Sequence, residues 1–392
     1  MADYDYNLVF EGGGAKGLVF VGALQEFEAQ GYTAGRVLGT SAGAITAAML
    51  AAGYNAAELR EAVDEKLPDG KPRFSTFMDV PDKFSPQEID DSLMNLIFRA
   101  IDLPFVTEAA ERKLDAHLMN GLLRLSIFRQ LFSFVEKGGL YSGQALVDWL
   151  TDRLNQNGRN LGGVTLAEFN QRTAKDLTVV ASDTTAGKIL VLNHRTAPHC
   201  PVVAAIRMSM SIPFVWQEVR WQAEWGPYRG QNITGHVVVD GGVLSNFPIE
   251  LLISTEPEIL DMMGAHDGVY AVGLLIDEEL PVAGISALNV AEAPRPEPKF
   301  PLDLKSLAAT QRVTQLINTM LRGHDKLVID AYADGVCRLP AQGYGTTDFE
   351  LSAIRAQALI DAGQTTMRDF LLRLHIFLRD NHPHHLPQRL RN

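Results

Sequence analysis

Val37-Leu38-Gly39-Thr40-Ser41-Ala42-Gly43-Ala44-Ile45 is the stretch on which the fold turns. Val37 and Leu38 close a short apolar run. Gly39 to Gly43 is a turn of small residues, and an alanine-rich segment continues to a stop near Gly53. The order is strand, tight turn, helix. The turn matches G-x-S-x-G. Small residues on either side let neighbouring backbone come close to a serine held at a sharp bend, leaving its Oγ exposed, and a helix starting behind it favours negative charge beside the hydroxyl. Read without chemistry, the same string is a glycine-rich turn with an N-capping serine. Its position between an apolar strand and a helix favours the nucleophile reading.

Upstream, Asn7-Leu8-Val9-Phe10 reads as a strand broken by Gly12-Gly13-Gly14-Ala15-Lys16-Gly17, with a helix from Leu18 to Gln30 and Gly31 as its stop. The glycine run has three chemical readings. A dinucleotide fingerprint needs an acid at the end of the second strand, and Val37-Leu38-Gly39-Thr40-Ser41 has none. A phosphate-binding P-loop needs Lys-Ser or Lys-Thr after the last glycines, where this chain has Gly17-Leu18. The third reading is an oxyanion hole, with backbone N–H groups aimed at a tetrahedral intermediate and glycines permitting close approach. A plain flexible turn is the alternative. Downstream, Val237-Val238-Val239-Asp240 is a strand ending at Gly241-Gly242. The carboxyl ends of strands are where α/β sites assemble, although D-G-G alone is a common turn.

The remaining chain alternates in the same way, with one interruption. Leu67 to Gly139 is helical in pattern and reads as an insertion. Its apolar pieces include Leu93–Phe98 and Leu122–Val135. Beyond it, helices are expected at Gln144–Leu154 and Val202–Met210, and strands at Leu177–Ala181, Ile189–Leu192 and Val269–Ile276. Trp216 to Trp221 alternates like a strand pair. Ala293–Pro298 is a proline-rich connector, and two helices, around Asp303–Tyr332 and Leu351–Arg379, finish the chain. Short strands alternating with helices predict a mainly parallel sheet.

Composition narrows the function. The chain has 392 residues, 46% hydrophobic and 21% charged, which is ordinary for a globular protein. A net charge of −12 excludes the basic footprint of nucleic-acid binding. Two cysteines, Cys200 and Cys337, make neither a disulfide framework nor a metal cluster. The start MADYDYNLVFEGGG has no signal-peptide pattern, and no charge-free apolar run reaches 18 residues. A cytoplasmic protein is expected, without a transmembrane helix. His382, His384 and His385 cluster near Pro383 and read as a disordered, weakly metal-binding tail. His266, in a polar loop after Asp240, could complete a Ser-Asp-His order on paper, but reads as a surface residue.

Glycine loop, G-x-S-x-G and D-G-G in this order resemble the patatin-like lipid acyl hydrolases. Val203 to Pro213, ending Ser211-Ile212-Pro213, is similar to the family's helix before the aspartate strand. Asp240-Gly241-Gly242-Val243-Leu244-Ser245-Asn246-Phe247-Pro248 is similar to its D-G-G-x-x-x-N-x-P, and Leu140–Gly143 and Val180–Asp183 also look familial. Lys16 stands where many members have arginine. The 199 positions from Ser41 to Asp240 exceed the spacing of plant patatins and look like certain bacterial lipolytic toxins. The resemblance implies a three-layer α/β/α fold and a catalytic domain over 7–276, with the helical insertion at about 67–139. Residues 277–392 would pack on that domain as connector and helices. It also implies phospholipase A-type hydrolysis of carboxylic esters by a Ser41–Asp240 dyad. Gly13 and Gly14 N–H groups would form the oxyanion hole, with Gly12 shaping the loop, and Lys16, Gly17, Gly39, Gly43, Gly241 and Gly242 would support the motifs. No metal or cofactor is expected. The expected partners are a phospholipid or other acyl ester and a membrane surface touched peripherally. A latent effector awaiting an activating protein or small ligand, and a general esterase or lysophospholipase, are the alternatives.

Overall fold

The computed structural model describes residues 4–82, 84–99, 121–285, 327–346, 348–387 and 390. β1 (Tyr6–Phe10) enters a 3-10 turn at Gly14–Gly17 and then α1 (Leu18–Ala29). β2 (Ala34–Thr40) enters α2 (Ala42–Ala51), and α3 (Ala56–Val63) follows. α3 starts at a capping box: Asn55 Oδ1 accepts from the Glu58 amide at 2.9 Å while Glu58 Oε2 accepts from the Asn55 amide at 3.1 Å. The insertion carries α4 (Pro86–Asp90), α5 (Leu93–Arg99) and α6 (Ser126–Lys137) and ends in β3 (Gly139–Tyr141). Its centre, residues 100–120, lies outside the described residues, as do the proline-rich connector and most of the helix expected at 303–332.

α7 (Gln144–Asn155) and α8 (Leu166–Thr173) lead to β4 (Leu177–Asp183), β5 (Lys188–Leu192) and α9 (Val202–Ser209). β6 (Phe214–Trp216), β7 (Val219–Arg220) and β8 (Val237–Asp240) come next. α10 (Glu250–Ile253), α11 (Pro257–Met263), β9 (Tyr270–Asp277), β10 (Val336–Pro340) and α12 (Ala353–Asn381) complete the described elements. The main sheet has the order β10-β9-β1-β2-β4-β8-β7, with β5 also on β4. β10, β9, β1, β2 and β4 are parallel, whereas β5 and β8 run antiparallel to β4.

Strand residues alternate between two cores. Leu8, Phe10, Val37, Val179, Val272, Leu274 and Cys337 face one, packed against α1, α2, α7, α9 and α12. Val9, Leu38, Val180, Ala271, Leu275 and Val336 face the other, packed against α10 and α11. A strand covered on both faces reads as an unbroken apolar run, which is why the short strands stood out. The result is the three-layer α/β/α architecture with a mainly parallel sheet.

Three local expectations need correction. Trp216 and Trp221 do not belong to a strand pair. β6 pairs with β3 and β7 with β8, because the Gln217 amide bonds Tyr141 O and the Trp221 amide bonds His236 O. Past residue 277 the chain is not only helical: β10 adds a parallel edge strand to β9. Five residues containing Arg338 and Pro340 carry no alternation to announce a strand, and an edge tolerates the proline. The tail is not disordered through its described part. Pro383–His385 forms a 3-10 turn, His385 Nδ1 lies 3.0 Å from Gly268 O, and its ring meets Tyr270 edge-on. Among the described residues, no His, Cys, Asp or Glu group is arranged to hold a metal ion.

Candidate active site

The register of β4 brings the two main candidates together. β5 pairs with Val179–Asp183 of β4, so β2 and β8, which pair with β4 at Val37–Thr40 and Val238–Asp240, must share its other edge. β2 climbs that edge in parallel and stops at Thr40, opposite Val180. β8 descends it antiparallel and stops at Asp240, opposite Ala181. The carboxyl ends of the two strands therefore meet head-on at consecutive β4 residues, and Ser41 and Asp240 sit where they meet.

Ser41 has φ 53° and ψ −124°, a left-handed backbone rare for a residue with a side chain. Local packing enforces it. A Cβ on Gly39 would lie 2.2 Å from Gly43 O, and one on Gly43 would lie 2.3 Å from Phe10 O. Only glycine lets β2, α2 and β1 approach this closely. The Ser41 amide donates to Ser209 Oγ at 2.8 Å, and Ser209 Oγ in turn donates to Val180 O at 2.5 Å. The first turn of α2 opens directly behind, with Ala44 N–H bonding Ser41 O at 2.9 Å.

Asp240 is buried. Its Oδ1 accepts from the Gly242 amide at 2.7 Å, and Oδ2 is enclosed with no hydrogen bond. Burial pushes the carboxyl up to about 7, and the Ser41 hydroxyl and Gly242 amide pull it part of the way back. Ser41 Oγ lies close enough to hold that value down, yet in this rotamer its hydrogen bond runs to Met210 Sδ at 3.5 Å.

The glycine loop runs beside the elbow. The Cβ position of Gly12 falls 3.1 Å from Ser41 Cβ, and that of Gly17 3.1 Å from Ala42 Cβ. Gly12 N–H is committed to Asn246 O at 3.1 Å. Gly13 and Gly14 N–H donate to no described residue, as befits the first amides of a helical turn. Gly14 has φ +55°, and a Cβ there would lie 2.0 Å from Thr346 O. Lys16 is buried and paired with Glu278.

Two supporting residues carry roles that the sequence did not announce. Arg207, buried in α9, donates to Ser142 O at 2.7 Å, to Gln217 O at 2.9 Å and to Ser211 Oγ. Ser211 O accepts the Asp240 amide at 2.9 Å, so Arg207 braces the strand that ends at Asp240. Burial pulls its guanidinium down to about 10, with Asp79 opposing. An arginine inside Val203-Ala204-Ala205-Ile206-Arg207-Met208 is the signal that could have found it, since a charge in an apolar helix is buried only with partners. Asp79 accepts the amides of Gly143, Gln144 and Ala145 at 2.8 to 3.2 Å and caps α7. Nothing in its sequence surroundings marks it.

No histidine hydrogen-bonds Ser41 or Asp240 among the described residues. His266 Nε2 bonds Ser254 O at 2.8 Å and lines, with His382 and His385, a cavity of about 420 Å³ beside Tyr270. Tyr270 pairs with Tyr6 at the start of β1, so this cavity lies at the amino ends of the parallel strands, whereas Ser41 follows the carboxyl end of β2. His236 bonds buried Asp183 at 2.7 Å. That pair sits at the far end of β8, about 13 Å from Asp240 at the usual rise per strand residue.

Residues 8–253 match the family of patatin-like phospholipases, and the chain belongs to that family. It is 28% identical to the protein YqhO of Bacillus subtilis (strain 168) over 370 residues, covering 93% of this chain and 97% of that protein. The "probable lipid hydrolase 463L" of Invertebrate iridescent virus 6 is 29% identical over 119 residues, 30% of this chain and 36% of the viral protein. Among solved structures, VipD from Legionella pneumophila matches with a TM-score of 0.45 at 17% identity, over 94% of this chain and 67% of that one. The type III effector ExoU, from Pseudomonas aeruginosa, matches at 0.37 and 16%, and this chain spans about half of its length.

Proposed function

We propose that this protein is a lipid acyl hydrolase of phospholipase A type, cleaving carboxylic esters of membrane phospholipids with Ser41 as nucleophile and Asp240 as base. The observation that carries the reading is the head-on meeting of β2 and β8. It sets a strained serine beside a buried carboxylate whose pKa lies near 7 and whose Oδ2 has no hydrogen bond. A base tuned close to neutral pH is suited to taking a proton and giving it back.

In this reading Ser41 Oγ attacks the acyl carbonyl carbon while its proton passes to Asp240 Oδ2. The amides of Gly13 and Gly14 hold the oxyanion of the tetrahedral intermediate. Collapse breaks the ester C–O bond, and Asp240 returns the proton to the departing alcohol. A water then attacks the acyl-serine, its proton going to Asp240, and the acid is released with Ser41 restored. The residues of this chain supply nucleophile, base and electrophile. The enzyme is proposed to work from the cytoplasm at a membrane surface; no helix of the described residues is long and apolar enough to cross one.

The test is a fluorophosphonate probe followed by peptide mass spectrometry, alongside turnover of phospholipid vesicles. Ser41 is expected to carry the adduct, and Ser41→Ala to lose both label and turnover. An adduct on another serine, or full turnover without Ser41, overturns the assignment. The Ser41–Met210 contact favours a second reading, in which the protein is latent until a protein or ligand redirects Oγ toward Asp240. Turnover that rises by orders of magnitude on adding host extract or nucleotides selects it over the constitutive enzyme.

A further inference from the structure

We infer that Glu11 is a positioning residue, whose carboxylate together with Asn246 sets the direction of the Gly13 and Gly14 amides. The inference rests on the Ser41–Asp240 reading. Glu11 Oε1 accepts from Asn246 Nδ2 at 3.0 Å and Oε2 accepts from the Ile276 amide at 2.5 Å, while the Glu11 amide donates to Leu274 O at 3.1 Å. One residue thus spans the end of β1, the end of β9 and the loop that follows Asp240. Asn246 in turn holds Gly12 from both sides. Its carbonyl accepts Gly12 N–H at 3.1 Å and its Nδ2 donates to Gly12 O at 2.9 Å. Past the glycines, Ala15 N–H donates to Thr346 O at 2.9 Å. The backbone is therefore tied on both sides of Gly13 and Gly14, whose own N–H groups stay uncommitted.

A carboxylate suits this place because it only accepts and offers two oxygens, so it receives the Asn246 and Ile276 donors together. Glutamine offers one oxygen and turns an NH₂ against the second donor. A negative charge beside a developing oxyanion is electrostatically unfavourable. What Glu11 contributes is geometry, and donors a fraction of an ångström out of place lose most of their effect on a transition state.

Glu11→Gln is the test. Expected are a fall in kcat of about 10²-fold with KM unchanged and Tm lowered by no more than a few degrees, and an acid limb of the pH profile that stays where Asp240 sets it. Amide hydrogen exchange at Gly12 and Ala15, whose hydrogen-bonded N–H groups flank the two glycines, is expected to quicken about tenfold or more, with β4 unaffected. Asn246→Ala removes the same clamp from the other side and should give the same pattern, the double variant being little worse than either single one. Unchanged exchange at both Gly12 and Ala15 in either folded variant overturns the proposal, as does a loss of activity that only follows a loss of Tm. Exchange is read without turnover, so it stands apart from the functional reading, which fails if Ser41→Ala still hydrolyses ester.

Discussion

Burial changes the chemistry of Asp240. A carboxyl raised to about 7 binds a proton in the folded protein that it has lost in the unfolded chain near pH 4. Its contribution to stability is therefore fully present below about pH 4 and is lost as pH rises through about 7. Asp240→Asn is expected to raise Tm at pH 8 by a few degrees, a gain that shrinks as pH falls toward 4; thermal melts across that range check it. The same substitution should lower turnover by about 10²–10⁴, while His266→Ala, far from the site, is close to silent. The raised value also means that the pH profile should show its acid limb near 7, where a histidine base would put one too. The mutant pair, read by initial rates, is what separates dyad from triad. At Gly14, even alanine should lose about 10²–10³ in rate. The positive φ and the Thr346 carbonyl would strain the variant as well, so some stability should go with it.

At the scale of elements, the brace and the insertion make separate claims. Arg207 donates to two carbonyls and a hydroxyl. Arg207→Met removes these donors and should destabilise the protein by about 2–4 kcal/mol, measured by urea unfolding. In the insertion, Phe132 is fully buried and its ring packs 4.3 Å from Phe84, so a charge there would unfold α6. Leu93, Leu96, Leu125 and Val135 are the exposed apolar residues of α5 and α6 and their flanks. If the insertion touches a bilayer, Leu96→Glu with Leu125→Glu should cut turnover of vesicles several-fold and leave a short soluble ester untouched. Equal losses on both substrates would mark these residues as structural.

On the scale of the whole molecule, the family match ends at residue 253, but the sheet does not. β9 lies between β1 and β10, and α12 runs along α1 so closely that a Cβ on Gly22 would fall 1.8 Å from Ile360 O. Arg368 adds a 2.8 Å ion pair to Glu26. A chain cut after residue 253 would leave the edge of β1 unpaired and Leu8, Phe10 and Phe20 uncovered. It is expected to be insoluble or unfolded, whereas calorimetry of the full chain is expected to show one cooperative step.

How much of this was legible in the sequence follows from what each signal depends on. Strands buried on both faces, the alanine-rich helix after Ser41 and the glycines of close approach are local facts. They showed in the sequence because an apolar run, a helix stop or a missing Cβ needs no partner to be recognised. β10 stayed hidden because five residues with an arginine and a proline become a strand only beside β9. The roles of Arg207, Asp79 and Glu11 were hidden likewise, since each exists in hydrogen bonds to residues distant in the chain. By itself the sequence determined the order of strands and helices, the turn that holds Ser41 and the strand that ends at Asp240. Only the tertiary structure decided that the two meet, since 199 positions of chain separate them and the pairing register of β4 alone brings their strand ends together. Burial at that junction then moved the Asp240 carboxyl toward neutrality, a property that no residue has until the fold encloses it.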